Sequence, residues 1–207
     1  MNINLRWPEY KALLYRLFLG YFFYFVGRIL FYAFNANLFT VNGIPGLLRL
    51  CYYGLAFDTT ALLYINSLFI VLSILPLTVN TRAGYQKGLA ILYFVTNFLA
   101  YATNFVDIIY YRFSQVRSTK ATLDVLADES NKKALFAHFS WAYWYVIVIF
   151  IVCCVCWAWL YYRVKVKQAA VNNKKIYFGL SSVVFVAVIT LMIGGVRGDF
   201  KHSTRPI

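Results

Sequence analysis

Apolar residues in this chain fall into five long runs, separated by segments that hold most of the charged side chains. The runs cover residues 12–34, 47–75, 88–111, 141–162 and 176–196. The hydrocarbon core of a bilayer is about 30 Å thick and an α-helix rises about 1.5 Å per residue, so about 20 apolar residues are enough to cross it. The pattern predicts an all-α polytopic membrane protein with five transmembrane helices.

Aromatic residues mark both ends of the fourth run. They are Trp141, Tyr143 and Trp144 at one end, and Trp157, Trp159, Tyr161 and Tyr162 at the other. Tryptophan and tyrosine are enriched at both membrane interfaces, where an amphipathic ring meets the lipid head groups. We expect these two groups to lie at the two surfaces of the bilayer.

The segment between the third and fourth runs carries its own amphipathic pattern. Ser118 or Thr119 can cap a short helix, and apolar residues at helical spacing follow over residues 123–139. This pattern predicts one or two short interfacial helices over residues 118–139. An ordinary solvated connector is the alternative.

Composition agrees with a membrane protein and excludes other classes. Of the 207 residues, 62% are apolar and 13% are charged, and the mean hydropathy is +0.64. The net charge of +13 does not indicate nucleic-acid binding, because most basic residues flank apolar runs and no binding motif is present. The four cysteines lie in or beside apolar runs without further ligands, so they predict neither a zinc site nor a disulfide framework.

The distribution of Lys and Arg predicts the orientation. The loops after the second and fourth runs are basic, whereas the loop after the first run, residues 35–46, has no charge. Since cytoplasmic loops carry the excess of Lys and Arg, we expect the N-terminus inside and the C-terminus outside. The basic start of the chain and the long first run are typical of an uncleaved signal anchor.

Charged residues inside the apolar runs are the strongest functional candidates. They are Arg28, Arg49, Asp58 and Asp107, and all four are expected toward the outer leaflet. An ionised group at the centre of a span costs about 2.5–3.5 kcal/mol on insertion scales, so each needs a partner or a polar cavity. We hypothesise a polar pocket sized for a lipid head group, and the alternative is a set of salt bridges that only fix helix packing. The candidate residues are Arg28, Arg49, Asp58, Asn104, Asp107, Tyr111 and Arg117.

Helical spacing adds polar neighbours to this pocket. Tyr21, Tyr24, Arg28, Tyr32 and Asn35 share one face of the first run, and Asn97, Asn104, Asp107 and Tyr111 share one face of the third. The chain has no nucleophile beside a histidine, no phosphate-binding loop and no metal-ligand cluster. We therefore expect no chemistry, no catalytic residue and no cofactor from this chain alone.

Several segments, taken in order, resemble the lipoteichoic acid synthase family of the alkaline phosphatase and sulfatase superfamily. They are LLRLCYY (47–53), GLAFDTTALLYIN (54–66), NFVDIIYYRFSQVRST (104–119), LADE (126–129) and IGGVRGDF (193–200). The resemblance covers nearly the whole chain. It implies a protein of the bacterial cytoplasmic membrane with five spans and its N-terminus on the inner side. It also implies an outer catalytic domain that uses a threonine and a divalent metal such as Mn²⁺.

The resemblance implies a function that depends on a partner. The catalytic domain of the family would begin where this sequence stops, so the expected role is a membrane anchor that presents a phospholipid substrate. The enzyme would be a phosphoglycerol or phosphoethanolamine transferase, or a sulfatase-like hydrolase, with its catalytic domain in cis or in trans. Residues 124–129 would dock that domain. The alternatives are a stand-alone membrane interaction or transport protein, for which repeated halves and a broken helix are expected, and a degenerate fragment.

Overall fold

The protein is built from helices packed around a long first helix. The computed structural model describes residues 6–39, 43–77, 79–80, 82–116, 118, 141–166 and 174–197. Its elements are α1 (Trp7–Phe34), a 3-10 turn (Ala36–Leu38), α2 (Gly43–Ile65), α3 (Ser67–Ile74), α4 (Ala83–Ser114), α5 (Trp144–Arg163) and α6 (Lys174–Arg197). All regular structure in these ranges is helical, which confirms the predicted all-α class.

Four helices are long and apolar enough to cross a membrane. They are Trp7–Phe34, Ala83–Ser114, Trp144–Arg163 and the Tyr177–Val196 part of α6. The second apolar run is divided between α2 and α3, which are bent by 60° and form a fifth span if the pair is counted as one. The chain is therefore a multi-pass membrane protein. Of the interfacial helices predicted over residues 118–139, only Ser118 falls within the described residues.

The bundle is organised around α1. This helix packs against α2, α3, α4 and α5, and α6 packs against α2 and α3. Gly20 and Gly27 permit the close approach, since an added Cβ would lie 2.7 Å from Leu62 of α2 and 3.0 Å from Tyr101 of α4. Small residues serve this purpose in membranes because lipid tails are as apolar as leucine and tight packing must hold the helices together.

An aromatic cluster joins α1, α4 and α5. The buried Trp157 ring stacks on Phe23 at 4.7 Å, and its indole N–H donates to the Tyr93 hydroxyl at 3.0 Å. That hydroxyl donates in turn to the carbonyl of Arg16 at 2.8 Å. The aromatic residues at the end of α5 divide between two faces of the helix. One turn separates Trp157 from Tyr161, so they share the face that α5 buries, whereas Trp159 and Tyr162 are 58% and 61% exposed. Their predicted place at the bilayer surface stays a prediction.

Polar contacts fix the two ends of the bundle. At the Arg6 end, where α1, α4 and α6 begin, the buried Arg6 side chain pairs with Glu9 and donates to the carbonyls of Ile74 (3.3 Å) and Leu75 (2.8 Å). This contact places a cation at the carbonyl end of α3, where the helix dipole favours it. At the Asn35 end, where α1 and α4 end, the Asn35 amide donates to the carbonyl of Ile108 at 3.2 Å.

A pair of amides holds the bend between α2 and α3. Asn66, at the bend, donates to Asn97 of α4 at 3.0 Å, and Asn97 donates back at 2.7 Å. Both side chains are fully buried. Asn97 was expected on the face of the head-group pocket. It binds Asn66 instead, because an amide inside the bundle has to find a hydrogen-bond partner.

We predict that Asn97→Leu destabilises the protein, because the buried side-chain oxygen of Asn66, Oδ1, loses the hydrogen bond that the Asn97 amide donates. Hydrogen bonds between membrane helices contribute about 0.6 kcal/mol on average and up to about 1.7 kcal/mol. The free energy of unfolding should fall by at least about 0.6 kcal/mol, and by more if the buried oxygen finds no new donor. Unfolding in detergent measures it. The double variant with Asn66→Leu should cost less than the sum of the single variants. Thr96→Val is the control, since that hydroxyl bonds only to carbonyls of its own helix.

Candidate functional site

An ion pair between α1 and α2 forms the centre of the candidate site. Arg28 donates to both carboxylate oxygens of Asp58, from Nη2 to Oδ1 at 2.6 Å and from Nε to Oδ2 at 3.3 Å. Each side chain is 16% exposed. A two-point contact of this kind orients the guanidinium as well as neutralising it. The structure thus joins two of the predicted site residues, in the way that the salt-bridge alternative expected.

Gly54 makes the third contact with Arg28. Its carbonyl accepts a hydrogen bond from Nη2 at 3.1 Å, and a Cβ at this position would lie 1.9 Å from Nη1. Gly54 and Asp58 are four residues apart and so share one face of α2. This role of Gly54 was not predicted from the sequence, although its spacing of four residues to Asp58 was a visible signal.

Tyr24 lies one turn before Arg28 on α1, and its hydroxyl is buried. Among the described residues this hydroxyl has no hydrogen-bond partner. A buried polar group without a partner loses the hydrogen bonds that water would give it. Tyr24 therefore adds an available donor and acceptor on the same face of α1 as the ion pair.

Asp107 forms a separate polar contact at the Asn35 end. Its buried carboxylate accepts the backbone N–H of Ser118 at 3.0 Å and also the Ser118 hydroxyl. Within the described ranges it has no ion pair. Two hydrogen bonds stabilise the carboxylate, and they fold the chain after α4 back against that helix.

The remaining predicted residues do not join one described cluster. Arg49 is exposed near the start of α2, with its guanidinium 5.6 Å from the centre of the Tyr53 ring. Asn104 is half-buried, and its amide lies 3.5 Å from the carbonyl of Ala100 in its own helix. Tyr111 stacks on Phe39 at 5.3 Å. Arg117 lies outside the described residues.

The cavity that the structure describes lies away from these charges. It has a volume of about 440 Å³ and is lined by apolar side chains of α1, α2, α3 and α6, among them Leu13, Ile70 and Val188. The predicted polar head-group pocket stays a prediction. Within the described residues no group of three His, Cys, Asp or Glu side chains could hold a metal ion. Cys153, Cys154 and Cys156 are free thiols.

Comparison with protein-family models, with curated proteins and with solved structures finds no match to this chain. The resemblance to the lipoteichoic acid synthase family therefore stays a prediction based on the motifs quoted above.

We predict that Gly54→Ala breaks the Arg28–Asp58 pair, because the new methyl group would occupy the position of Nη1. A hydrogen bond to a charged group contributes about 1.5–3 kcal/mol, and partial exposure lowers that figure, so a loss of about 1–2 kcal/mol is expected. The free energy of unfolding in detergent is the measurement.

Gly88→Ala is the matched control for this substitution. An added Cβ at Gly88 of α4 meets nothing within 4 Å, so the change should be neutral or stabilise the helix by up to about 1 kcal/mol. In an Arg28→Gln background Gly54→Ala should cost nothing further. An equal cost in both backgrounds would contradict the assignment of Gly54 to the Arg28 contact.

Proposed function

We propose that this chain is a membrane domain that holds the phosphate head group of a lipid at the Asn35 end for a catalytic partner. The partner would be a phosphoglycerol or phosphoethanolamine transferase domain, or a sulfatase-like domain, that supplies its own divalent metal. One observation carries the proposal. Arg28, Arg49, Asp58 and Asp107 all lie in the half of the bundle toward the Asn35 end, where a head group at that surface would meet them.

Within this group, Arg49 is the residue that we assign to the phosphate. Arg28 is already neutralised by Asp58, so a lipid phosphate would have to displace a carboxylate at 2.6 Å. Arg49 is exposed and has no ion pair among the described residues, and its guanidinium can offer two donors to a phosphate. The Arg28–Asp58 pair then serves to hold α2, and with it Arg49, against α1.

Asp107 is assigned a different task in this proposal. Its contact with Ser118 fixes the point at which the chain leaves α4, directly before residues 119–140. That segment contains the acidic residues 124–129, which we assign to docking the catalytic domain.

The proposal places the Asn35 end outside a bacterial cytoplasmic membrane. The exposed basic residues of the described chain support this orientation, because most of them lie at the Arg6 end: Lys11, Arg82, Lys87, Arg163 and Lys165. An excess of Lys and Arg marks the cytoplasmic face. The N-terminus is then inside and the end of α6 is directed outward.

A stand-alone transport protein is the second candidate, and one observation favours it. The span formed by α2 and α3 is bent by 60° at Asn66, which lies among buried residues, and broken helices of this kind line the binding sites of many transporters. In this structure, however, the amides of Asn66 and Asn97 bind each other. A transported solute would have to replace that pair.

We predict that Arg49→Gln weakens binding of an anionic phosphoglycerol lipid by about tenfold or more, because one charge-assisted contact is worth about 1.5–3 kcal/mol. Purified protein in nanodiscs that contain phosphatidylglycerol, analysed by native mass spectrometry, provides the measurement. Lys87→Gln, which removes an exposed cation at the opposite end, is the control and should bind as the parent does. Equal lipid retention by all three proteins would refute the role of Arg49.

A second arm of the same experiment addresses the catalytic partner. A soluble phosphoglycerol-transferase domain is added to the nanodiscs, and lipid turnover is followed. The parent chain should raise turnover and Arg49→Gln should raise it less. If the parent chain has no effect on turnover while Arg49 still binds lipid, the partner in the proposal is wrong and the head-group site stands.

We predict that the Asn35 end faces outward, which cysteine labelling of intact cells can measure. In a background without the native cysteines, Trp141→Cys should react with a membrane-impermeant maleimide, since Trp141 is 85% exposed at that end. Lys87→Cys should react only after the cells are opened. The reverse pattern of labelling would place the proposed head-group site in the cytoplasmic leaflet.

A further inference from the structure

Arg16 differs from Arg6 and Arg28 because no carboxylate of the described residues pairs with it. The side chain is 6% exposed. Arg6 pairs with Glu9 and Arg28 pairs with Asp58, but among the described residues no carboxylate lies within 4 Å of Arg16. An ionised group removed from water costs several kcal/mol unless a counter-charge and hydrogen bonds compensate it.

The contacts of Arg16 leave one edge of the guanidinium free. Nη1 donates to Gln86 of α4 at 3.1 Å, and the Tyr161 ring of α5 covers one face, with its centre 4.3 Å from the guanidinium carbon. Nε is buried without a hydrogen-bond partner in the described part of the chain, and Nη2 has no bond there either. The edge formed by Nε and Nη2 is a fork that grips carboxylates and phosphates at two points.

The described carboxylates make their contacts elsewhere. Glu9 and Asp58 are in ion pairs with other arginines, and Asp107 accepts from Ser118. No described residue therefore supplies the counter-charge of Arg16, and an anion from the surroundings of the bundle can take that place.

The depth of Arg16 indicates which anion is available. Its partner Tyr161 lies in the last turn of α5, beside the exposed Trp159 and Tyr162, and Arg163 lies over the Trp159 ring at 3.9 Å. Exposed aromatic residues followed by a cation are typical of the interface, where lipid phosphates lie. A second cation at this level favours a lipid with a net negative charge over a zwitterionic one.

We infer that the Nε–Nη2 edge of Arg16 binds the phosphate of an anionic phospholipid in the leaflet at the Arg6 end. Gln86 holds the guanidinium through Nη1, and Tyr161 stacks on it. This site lies at the opposite end of the bundle from the head-group site proposed above and does not depend on it. Free phosphate shares the chemistry of the ligand, so the experiment separates the two sources.

Gln86→Glu is the decisive variant, because it places a carboxylate where Nη1 now donates and so supplies the missing counter-charge within the chain. In phosphatidylcholine nanodiscs, addition of phosphatidylglycerol should raise the unfolding temperature of the parent protein. Gln86→Glu and Arg16→Gln should both lose this rise when it is measured in an Arg49→Gln background, which removes the other proposed lipid site. The lipid affinity of the Arg16 site should fall by about ten- to a hundredfold.

The control is Arg163→Gln. This substitution removes a neighbouring exposed cation, and the variant should keep most of the response to phosphatidylglycerol. If Gln86→Glu or Arg16→Gln responds to phosphatidylglycerol as the parent does, Arg16 does not bind the lipid and the inference is wrong. Gln86→Glu also loses the hydrogen bond that Nε2 donates to the Asn80 carbonyl at 2.6 Å, so if that variant does not fold, the response of Arg16→Gln decides. If millimolar inorganic phosphate in phosphatidylcholine nanodiscs gives the full response, the site takes a free anion and the assignment to a lipid is overturned.

Discussion

Charges within an apolar bundle have to be compensated, and where the partner of a charge lies on another helix, the contact determines which helices of this chain meet. Apolar packing alone specifies little in a membrane, because lipid tails compete with leucine on equal terms. Arg6 ties the start of α1 to the end of α3, Arg28 ties α1 to α2, and Asp107 ties α4 to Ser118. The first two contacts fix a register along the helix axes that the surrounding leucines and phenylalanines would leave open, and the third fixes the direction in which the chain leaves α4.

The bend in the second span is held by the same principle. Asp58 anchors α2 before the bend, Arg6 anchors the end of α3 after it, and Asn66 is fixed to Asn97 between them. A transporter gate at Asn66 would need to break the amide pair and strain one of the two charged anchors. The bend is therefore better described as a fixed shape that lets α6 pack on both α2 and α3 than as a hinge.

The sequence predicted the spans well and their packing partners poorly, for physical reasons. Long apolar runs determine where a chain can cross the membrane, so four of the five runs match single helices. The bend was not predictable, because the chain has neither proline nor glycine at residue 66 and the Asn97 partner lies on another helix. Which aromatic residues face inward also depends on neighbouring helices, as Trp157 and Tyr161 show. Arg16 was not among the predicted site residues, although it lies inside the first apolar run. Its contacts with Gln86 of α4 and Tyr161 of α5 depend on the neighbouring helices and could not be predicted from its own run.

Arg16 and Arg28 lie on the same helix, and of the two only Arg28 has a carboxylate partner among the described residues. Arg28 has a carboxylate and a glycine carbonyl, so its binding capacity is largely used within the protein and its contribution is to position α2. Arg16 has an amide and an aromatic ring, which orient the guanidinium without neutralising it. An arginine that is oriented but not neutralised is suited to binding an external anion, and one that is fully paired is suited to holding helices together. On this reasoning the lipid contacts of the chain are expected at Arg49 and Arg16, one at each end of the bundle, with the Arg28–Asp58 pair as a fixed support between them.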